Sequence, residues 1–294
     1  MLSDLAGLAD LHMHSTASDG MLEPAQLLER GALAGLRAMS ITDHDTVAVH
    51  LRGDLPATGM EIVPGIELSC DTEWGELHLL GYHLDIHRGP FLERLEALRQ
   101  NRLKRLDRMI DRLSAVGVKL DAAFVDDLRG RPGSIGRPHV ARELIRSGAV
   151  ANFREAFERY LGRDGSAYIP HHNGLSPTDA VRLVADAGGV SSAAHPAKLI
   201  EEAPETFFDE LRRAGMAGLE TQHPSHSANQ VKNCRRLAVK LGLVETGGSD
   251  FHADADVDPG GRHSGVGCMT VGYAVVARLR DLAGGGVACG RRAS

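Results

Sequence analysis

Short apolar runs of strand character recur along this chain, and most of them give way to a Gly- or Pro-bounded turn carrying histidine or carboxylate. The first is Ala9-Asp10-Leu11-His12-Met13-His14-Ser15, where strand alternation puts His12 and His14 on one face. Ser18-Asp19-Gly20 follows, then Ile41-Thr42-Asp43-His44-Asp45, Pro64-Gly65-Ile66-Glu67, Glu76-Leu77-His78, Ala194-His195-Pro196 and Gly248-Ser249-Asp250-Phe251-His252. A fold that uses these clusters together must bring several strand ends to one place. Repeated β-α units do so. They build a mostly parallel sheet, open or closed into a barrel, with functional groups at the C-terminal strand ends.

The alternation is regular outside the middle of the chain. Leu8–His12, Ala38–Thr42, Glu61–Pro64 and Leu77–Tyr82 read as strands. A helix opens at Glu23-Pro24, where Pro suits an early helical position, and a short one begins after Asp45. Ser176-Pro177 starts a helix to Ala187, followed by strand Gly189–Ala194, a helix around Glu205–Ala214 and strand Ala217–Thr221. A helix near Asn229–Leu241 and strand Leu243–Thr246 complete this half. Between them, Leu92, Leu95, Leu98, Leu103, Leu106, Met109, Ile110 and Leu113 recur at helical spacing, with further helices expected at Val140–Ser147 and Phe153–Leu161. The expected organisation is an α/β unit over residues 1–89 and 169–294 with a helical insertion over residues 90–168. The tail from Gly284, rich in Gly and Arg, is expected to be loose.

At 294 residues the chain can bury a large core. Its net charge of −6 argues against a duplex-DNA binder, and 4% aromatic residues argue against a base-stacking platform. The four cysteines are scattered without a Cys-x-x-Cys pair, which suits a reducing compartment. No apolar run is long enough to span a bilayer, and Asp4 and Asp10 stand where a signal peptide would be basic and apolar. A cytoplasmic enzyme without a membrane association or an implied protein partner is the expectation. The unusual quantity is histidine, at 15 residues.

Each cluster alone has a plain explanation as a turn, a helix cap or a surface acid. Together they place imidazoles and carboxylates at several independent strand ends without thiolate, the donor set of Mn²⁺, Fe²⁺ or Zn²⁺. In sequence order they also resemble the polymerase and histidinol phosphatase (PHP) family of metal-dependent phosphoesterases. The matching elements are His-x-His, Thr-Asp-His, Pro-Gly-x-Glu, a later lone His, Ala-His-Pro and Ser-Asp-x-His. The resemblance implies a distorted seven-stranded β/α barrel and three divalent ions, Mn²⁺ foremost. It assigns His12, His14, Glu67 and Asp250 to one ion. Glu67 would bridge to a second ion, held with His78 and His195, and hold the metal-bridging hydroxide. Asp19, His44 and His252 would hold the third. Paired ions of this kind favour phosphoester hydrolysis.

Ser134-Ile135-Gly136-Arg137-Pro138-His139 presents a planar guanidinium fork in a fixed loop ahead of a helix, suited to phosphate oxygens, though a solvated loop would look similar. Its Arg-x-His resembles the insertion of PHP members acting on nucleotides and short oligoribonucleotides, namely 3′,5′-nucleotide bisphosphate phosphatases and 5′-to-3′ exonucleases. Ser134, Arg137 and His139 are therefore candidate phosphate-binding residues. His223 and His226, after strand Ala217–Thr221, are candidates for general acid and for substrate contact respectively. His171-His172 reads as structural or surface. The arginines of Glu93–Gly117 alternate with acids at pairing distances and read as a solvated face. The implied reaction is removal of the 3′-phosphate from a nucleoside 3′,5′-bisphosphate, with trimming of short RNA from its 5′ end beside it. Histidinol-phosphate hydrolysis and a non-catalytic, metal-stabilised module are the alternatives.

Overall fold

The computed structural model describes residues 5–170, 174–254 and 265–289; His171 and His172 lie outside the described residues. Two sheets carry the strand ends. In the first, β1 (Leu8–Asp10), β2 (Ala38–Met39) and β3 (Glu61–Ile62) pair in parallel. The second has the order β4 (Gly65–Thr72), β5 (Gly75–Tyr82), β6 (Val190–Ala193), β7 (Gly218–Gln222), β8 (Val244–Gly247). A last short strand, β9 (Val271–Gly272), runs antiparallel to β1. Single bridges Met13–Phe251 and His44–Glu67 join the two sheets just beyond β1 and β2. Both sheets thereby present their ends around one mouth.

Pairing is mixed rather than mostly parallel. β4 and β5 form an eight-residue antiparallel hairpin, and β5 also pairs antiparallel with β6. Residues 65–72 hold extended structure where the sequence suggests only a turn after Pro64. Six of those eight residues are buried, so the hairpin faces protein on both sides and lacks polar alternation.

The helices start where their caps dictate. Ser176 Oγ accepts from the Asp179 amide ahead of α7 (Pro177–Asp186), with Pro177 at the first helical position. Ser227 and Gln230 cap α10 (Ala228–Leu241) reciprocally, and left-handed Gly242 ends it. Before them come α1 (Pro24–Leu33), α2 (Ala48–Leu51), α3 (Gly89–Ala115), α4 (Ala122–Gly130), α5 (Arg137–Arg146) and α6 (Phe153–Ala156). A π-turn, Phe157–Leu161, extends α6. Between α7 and α10 lie α8 (Ala197–Glu202) and α9 (Glu205–Ala214), and α11 (Tyr273–Cys289) closes the chain. This last helix continues past Gly284, so the expectation of a loose tail from that residue is corrected as far as Cys289. Its Val276 and Leu279 pack with Leu11, Tyr82 and Val190, which anchors the helix from its first turns.

The long helix α3 crosses between two apolar cores. Phe91, Leu95 and Leu98 pack with β4, β5 and α7, whereas Leu106, Met109 and Leu113 pack with α4, α5 and α6. At the crossing the buried stripe is interrupted by Arg102 and Arg105. Arg102 donates to Asp45 (Nε, 2.7 Å), Ser69 Oγ (2.9 Å) and the Ile135 carbonyl (3.0 Å). Arg105 donates to the Ile169 carbonyl at 3.0 Å. The solvated-face reading of this helix therefore fails at those two positions: a planar cation with several donors lets the helix change cores while satisfying buried carbonyls. Among the described residues no helix is long and apolar enough to cross a membrane.

Candidate metal centre

Glu67, the third residue of β4, is buried at the centre of the mouth. Its Oε1 lies 3.0 Å from His78 Nδ1 and 3.1 Å from His195 Nε2, and its Oε2 lies 3.1 Å from His14 Nε2 and 3.0 Å from His44 Nδ1. Asp250 Oδ1 meets His12 Nε2 at 3.2 Å and His14 Nε2 at 3.1 Å. Asp19 stands beside His252 (3.3 Å), His14 (3.7 Å) and His44 (3.8 Å). All nine residues singled out as ligands from the sequence thus meet in one cluster. Among the described residues, the groups whose ligand atoms converge within 4.8 Å are His12, His14, Glu67, Asp250; then His14, Asp19, His44, His252; then His44, Glu67, His78; and His12, Glu220, His223. His195 joins through Glu67, with its ring stacked on His12 and edge-on to His78.

The donor set fits divalent cations. His12 Nε2 and His14 Nε2 lie 3.3 Å apart and both face Asp250 Oδ1 (3.2 and 3.1 Å), while His12 Nδ1 lies against Glu220. Glu67 Oε2 and His44 Nδ1 are buried without a hydrogen bond of normal geometry. Buried polar atoms left over in this way call for an ion. The charges agree. Burial alone would push the Glu67 and Asp250 carboxyls up, yet the surrounding histidines hold both well below the usual carboxylate range. His14 is driven to about 10: burial opposes its charge, and Asp250 and Glu67 outweigh it. His44 goes the other way, to about 3, through burial together with the His14 and His78 charges. Carboxylates and imidazoles this close shift one another strongly, and the same mixture of donors suits divalent metal ions.

Backbone strain concentrates at the same place. Asp45, His195 and Asp250 have φ of 49°, 28° and 48°, unusual for residues with a side chain. Each is pinned. The Asp45 amide donates to the Glu67 carbonyl, the His195 amide to Glu220 Oε2 (2.7 Å) and the Asp250 amide to the His12 carbonyl (2.7 Å). Gly248 lets β1 approach the Asp250 turn, since a Cβ there would meet the His12 amide nitrogen at 2.4 Å.

Several functional groups were not legible as such in the sequence. Glu220, on β7, is fully buried and accepts from both His12 Nδ1 (3.1 Å) and the His195 amide. It fixes the His12 tautomer and orientation, the usual task of a carboxylate behind a ligating histidine. A carboxylate in the middle of an otherwise buried strand was the available signal. Asp43 accepts from the Ser15 amide and hydroxyl and from Ser18 Oγ, which shapes the turn leading to Asp19. Asp10 accepts from the Ser249 and Gly267 amides; burial lifts its pKa to about 6 against those bonds.

The other candidates are placed as follows. His223 is buried, with Nε2 3.2 Å from Asp250 and Nδ1 2.8 Å from Ser225 Oγ. His226 has Nε2 buried without a partner. Ser134 is buried with its hydroxyl unpartnered, and its amide donates to the Ala17 carbonyl between His14 and Asp19. Arg137, at the first position of α5, reaches Glu76 at 3.6 Å, and Glu76 lies 3.4 Å from His78. His139 Nδ1 caps α5 by accepting from the Gly136 amide at 3.1 Å, and burial lowers its pKa to about 4, which keeps it neutral.

No family model matches the chain. A 5′-3′ exoribonuclease of Haemophilus influenzae is 31% identical over 247 residues, covering 83% of this chain and 89% of the relative. A 3′,5′-nucleoside bisphosphate phosphatase of Chromobacterium violaceum is 32% identical over 264 residues, 87% and 90% of the two chains. Among solved structures, a protein described as a metal-dependent phosphoesterase from Bifidobacterium adolescentis superposes with a TM-score of 0.81 at 27% identity, over 93% of this chain and 96% of that one. With its nine candidate ligands gathered in one cluster and relatives of this similarity along most of its length, the chain belongs to the PHP family of metal-dependent phosphoesterases, hydrolases of phosphoester bonds.

Proposed function

We propose that this enzyme removes the 3′-phosphate from nucleoside 3′,5′-bisphosphates and also trims short oligoribonucleotides from the 5′ end. The observation that carries the reading is the place of Arg137: a guanidinium on the helical segment, one carboxylate away from the ligand candidate His78. A substrate with one phosphate at the metal cluster and another a sugar's length away spans that distance. Histidinol phosphate has no second phosphate for Arg137 to hold. Three divalent ions, Mn²⁺ foremost with Fe²⁺ or Zn²⁺ as alternatives, would be held by His12, His14, Glu67 and Asp250, by Glu67, His78 and His195, and by Asp19, His44 and His252. When bound, such ions supply Lewis-acid polarisation of the phosphoryl group and activation of water near neutral pH.

The chain's own groups do the rest. Glu220 holds His12 with its Nε2 lone pair toward the cluster. Residues 90–168 act as a cap over a barrel of residues 1–89 and 169–294. From it Arg137 grips a phosphate in its fork, and the buried Ser134 hydroxyl adds a donor. His139 keeps that loop in place through Gly136. On the opposite side His226 contacts the nucleoside, and His223, beside Asp250, delivers a proton to the leaving oxygen. The buried free thiols of Cys70 and Cys234 suit the reducing cytoplasm.

The test is phosphate release by Mn²⁺-loaded protein from adenosine 3′,5′-bisphosphate, beside AMP, histidinol phosphate and a short 5′-phosphorylated RNA, with Asp250→Ala as control. Release from the bisphosphate that disappears in the variant supports the reading. Release only from histidinol phosphate replaces the substrate, and metal binding without any release points to a non-catalytic module.

A further inference from the structure

The turn that carries Asp19 is held from two sides. On the sheet side, Asp43 accepts from the Ser15 amide (2.7 Å) and from the Ser15 and Ser18 hydroxyls (both 2.6 Å). The Gly20 amide bonds back to the Ser15 carbonyl at 3.0 Å, and the Met21 amide to the His252 carbonyl at 2.7 Å. On the other side stand residues of the helical segment. The Ser134 amide donates to the Ala17 carbonyl at 2.8 Å, and Gly133 lies so close that a Cβ there would run into that same carbonyl. Two residues further on, Arg142 of α5 donates from Nη2 to the Asp19 carbonyl. The Arg142 guanidinium is half-buried and lies 5.9 Å from the ring of Phe153, the first residue of α6, which fixes its direction. Asp19 thus takes its own backbone anchor from a different part of the chain than its neighbours Ser15 and Ser18. Its carboxylate stands 3.3 Å from His252 and within 3.8 Å of His14 and His44.

We infer that Arg142 is a positioning residue for Asp19: by holding the Asp19 carbonyl it sets the aim of the Asp19 carboxylate, and with it the affinity of the ion that Asp19, His44 and His252 would hold. The inference rests on the three-ion assignment proposed above and goes beyond it. It makes one ion depend on the seating of the helical segment, whereas the other two would be held by residues that lie wholly outside residues 90–168. Two effects of Arg142 oppose each other. Fixing a ligand before the ion arrives removes an ordering cost from binding, and partners behind a ligand are worth about 10- to 100-fold in metal affinity. A guanidinium near a cation site also repels the ion. Removing Arg142 therefore weakens the ion if aim prevails and tightens it if repulsion prevails. Aim prevails, because the bond is made to the ligand residue itself while a half-buried charge in contact with water acts through a high effective dielectric.

The experiment titrates Mn²⁺ into the chelator-treated full chain by calorimetry, with free ion counted by electron paramagnetic resonance. The proteins are wild type, Arg142→Met, Arg142→Lys, Asp19→Asn and the double variant Asp19→Asn/Arg142→Met. Arg142→Met is expected to weaken one ion about 10-fold and to leave the affinity of the others unchanged. Arg142→Lys, which keeps the charge and one donor, recovers part of the loss. In the Asp19→Asn background Arg142→Met adds nothing, because the carboxylate it aims is gone. Tighter binding in Arg142→Met makes the residue an electrostatic brake and overturns the inference. Equal weakening of every ion overturns it, as does a further loss in the double variant or no change in an Arg142→Met protein that melts like wild type. Should Arg142→Met fail to fold, Arg142→Lys decides: selective weakening of one ion supports the inference, and wild-type affinities or a second failure to fold overturn it. If Asp19→Asn leaves the titration unchanged, Asp19 is no ligand and the inference falls with that assignment. That result is distinct from a missing Arg142 effect beside an intact Asp19 effect, which overturns the inference alone.

Discussion

Replacing Glu220 with glutamine isolates what a single buried carboxylate does for the metal cluster. Glu220 is isosteric with glutamine and touches no solvent, so shape and packing are kept. Its Oε2 accepts from the His195 amide at 2.7 Å, and an amide oxygen can keep that bond. The other terminal atom then becomes an NH₂ facing His12 Nδ1, which lies 3.1 Å from Oε1 in the native site. Two donors cannot share that contact. His12 must move its proton to Nε2, the nitrogen 3.2 Å from Asp250 and 3.4 Å from Glu67, and so loses the lone pair aimed into the cluster. Losses of this type weaken metal affinity about 10- to 100-fold, or roughly 1.4 to 2.8 kcal/mol at 1.4 kcal/mol per decade. The assay is Mn²⁺ titration by calorimetry at pH 7.5 with thermal unfolding in parallel. Metal-loaded Glu220→Gln is expected to lose most of the ligand-dependent gain in Tm, while the chelated forms of both proteins melt together. Unchanged affinity with an unchanged fold would refute the tautomer argument, and with it the role assigned to Glu220.

Three further outcomes are expected. His139 falls from 6.5 to about 4 on folding, mainly through burial, so the native state binds fewer protons than the unfolded chain between those pH values. Stability therefore declines as pH falls from 6.5 toward 4, by about 3 kcal/mol in total for this group; urea midpoints of His139→Gln, which keeps a capping acceptor for Gly136, should lack that slope relative to wild type. Arg102→Met leaves the buried Asp45 charge without its guanidinium, with the Ser69 amide (2.9 Å) still donating to Oδ1, and should cost about 3–5 kcal/mol in urea unfolding; a loss below 1 kcal/mol would mean that the remaining donors compensate the charge. Gly248→Ala forces a methyl toward the His12 amide at 2.4 Å and should cost about 1–3 kcal/mol. It should also weaken Mn²⁺ binding, because relief of the clash moves β1 away from the Asp250 turn.

The candidate ligands were legible in the sequence for a chemical reason. Metal coordination accepts few residue types and places them at strand ends, so nine imidazoles and carboxylates stood out against the Gly and Pro that bound their turns. The groups behind them leave no such trace. Glu220 is one acid in a five-residue strand, and alternation alone reads it as facing water. Arg102 and Arg105 stand in register with Leu98, Leu106 and Met109, on the apolar face and away from Glu96 and Asp107, so reading all the basic residues of this helix as one solvated group hid them. Arg102 in fact ends on Asp45, 57 residues away. The β4–β5 hairpin was hidden because burial on both faces removes the polar alternation that marks an exposed strand. In each case what escaped was a long-range pairing. Those pairings decide how the mouth works: Glu220 orients the ligand side, and Arg102 ties the cap that carries Arg137 to the turn after His44. A chain with every metal ligand but without Glu220, Asp45 and Arg102 would match the same motifs. It would lack the means to hold those imidazoles and guanidiniums at fixed distances, which a multi-residue site requires.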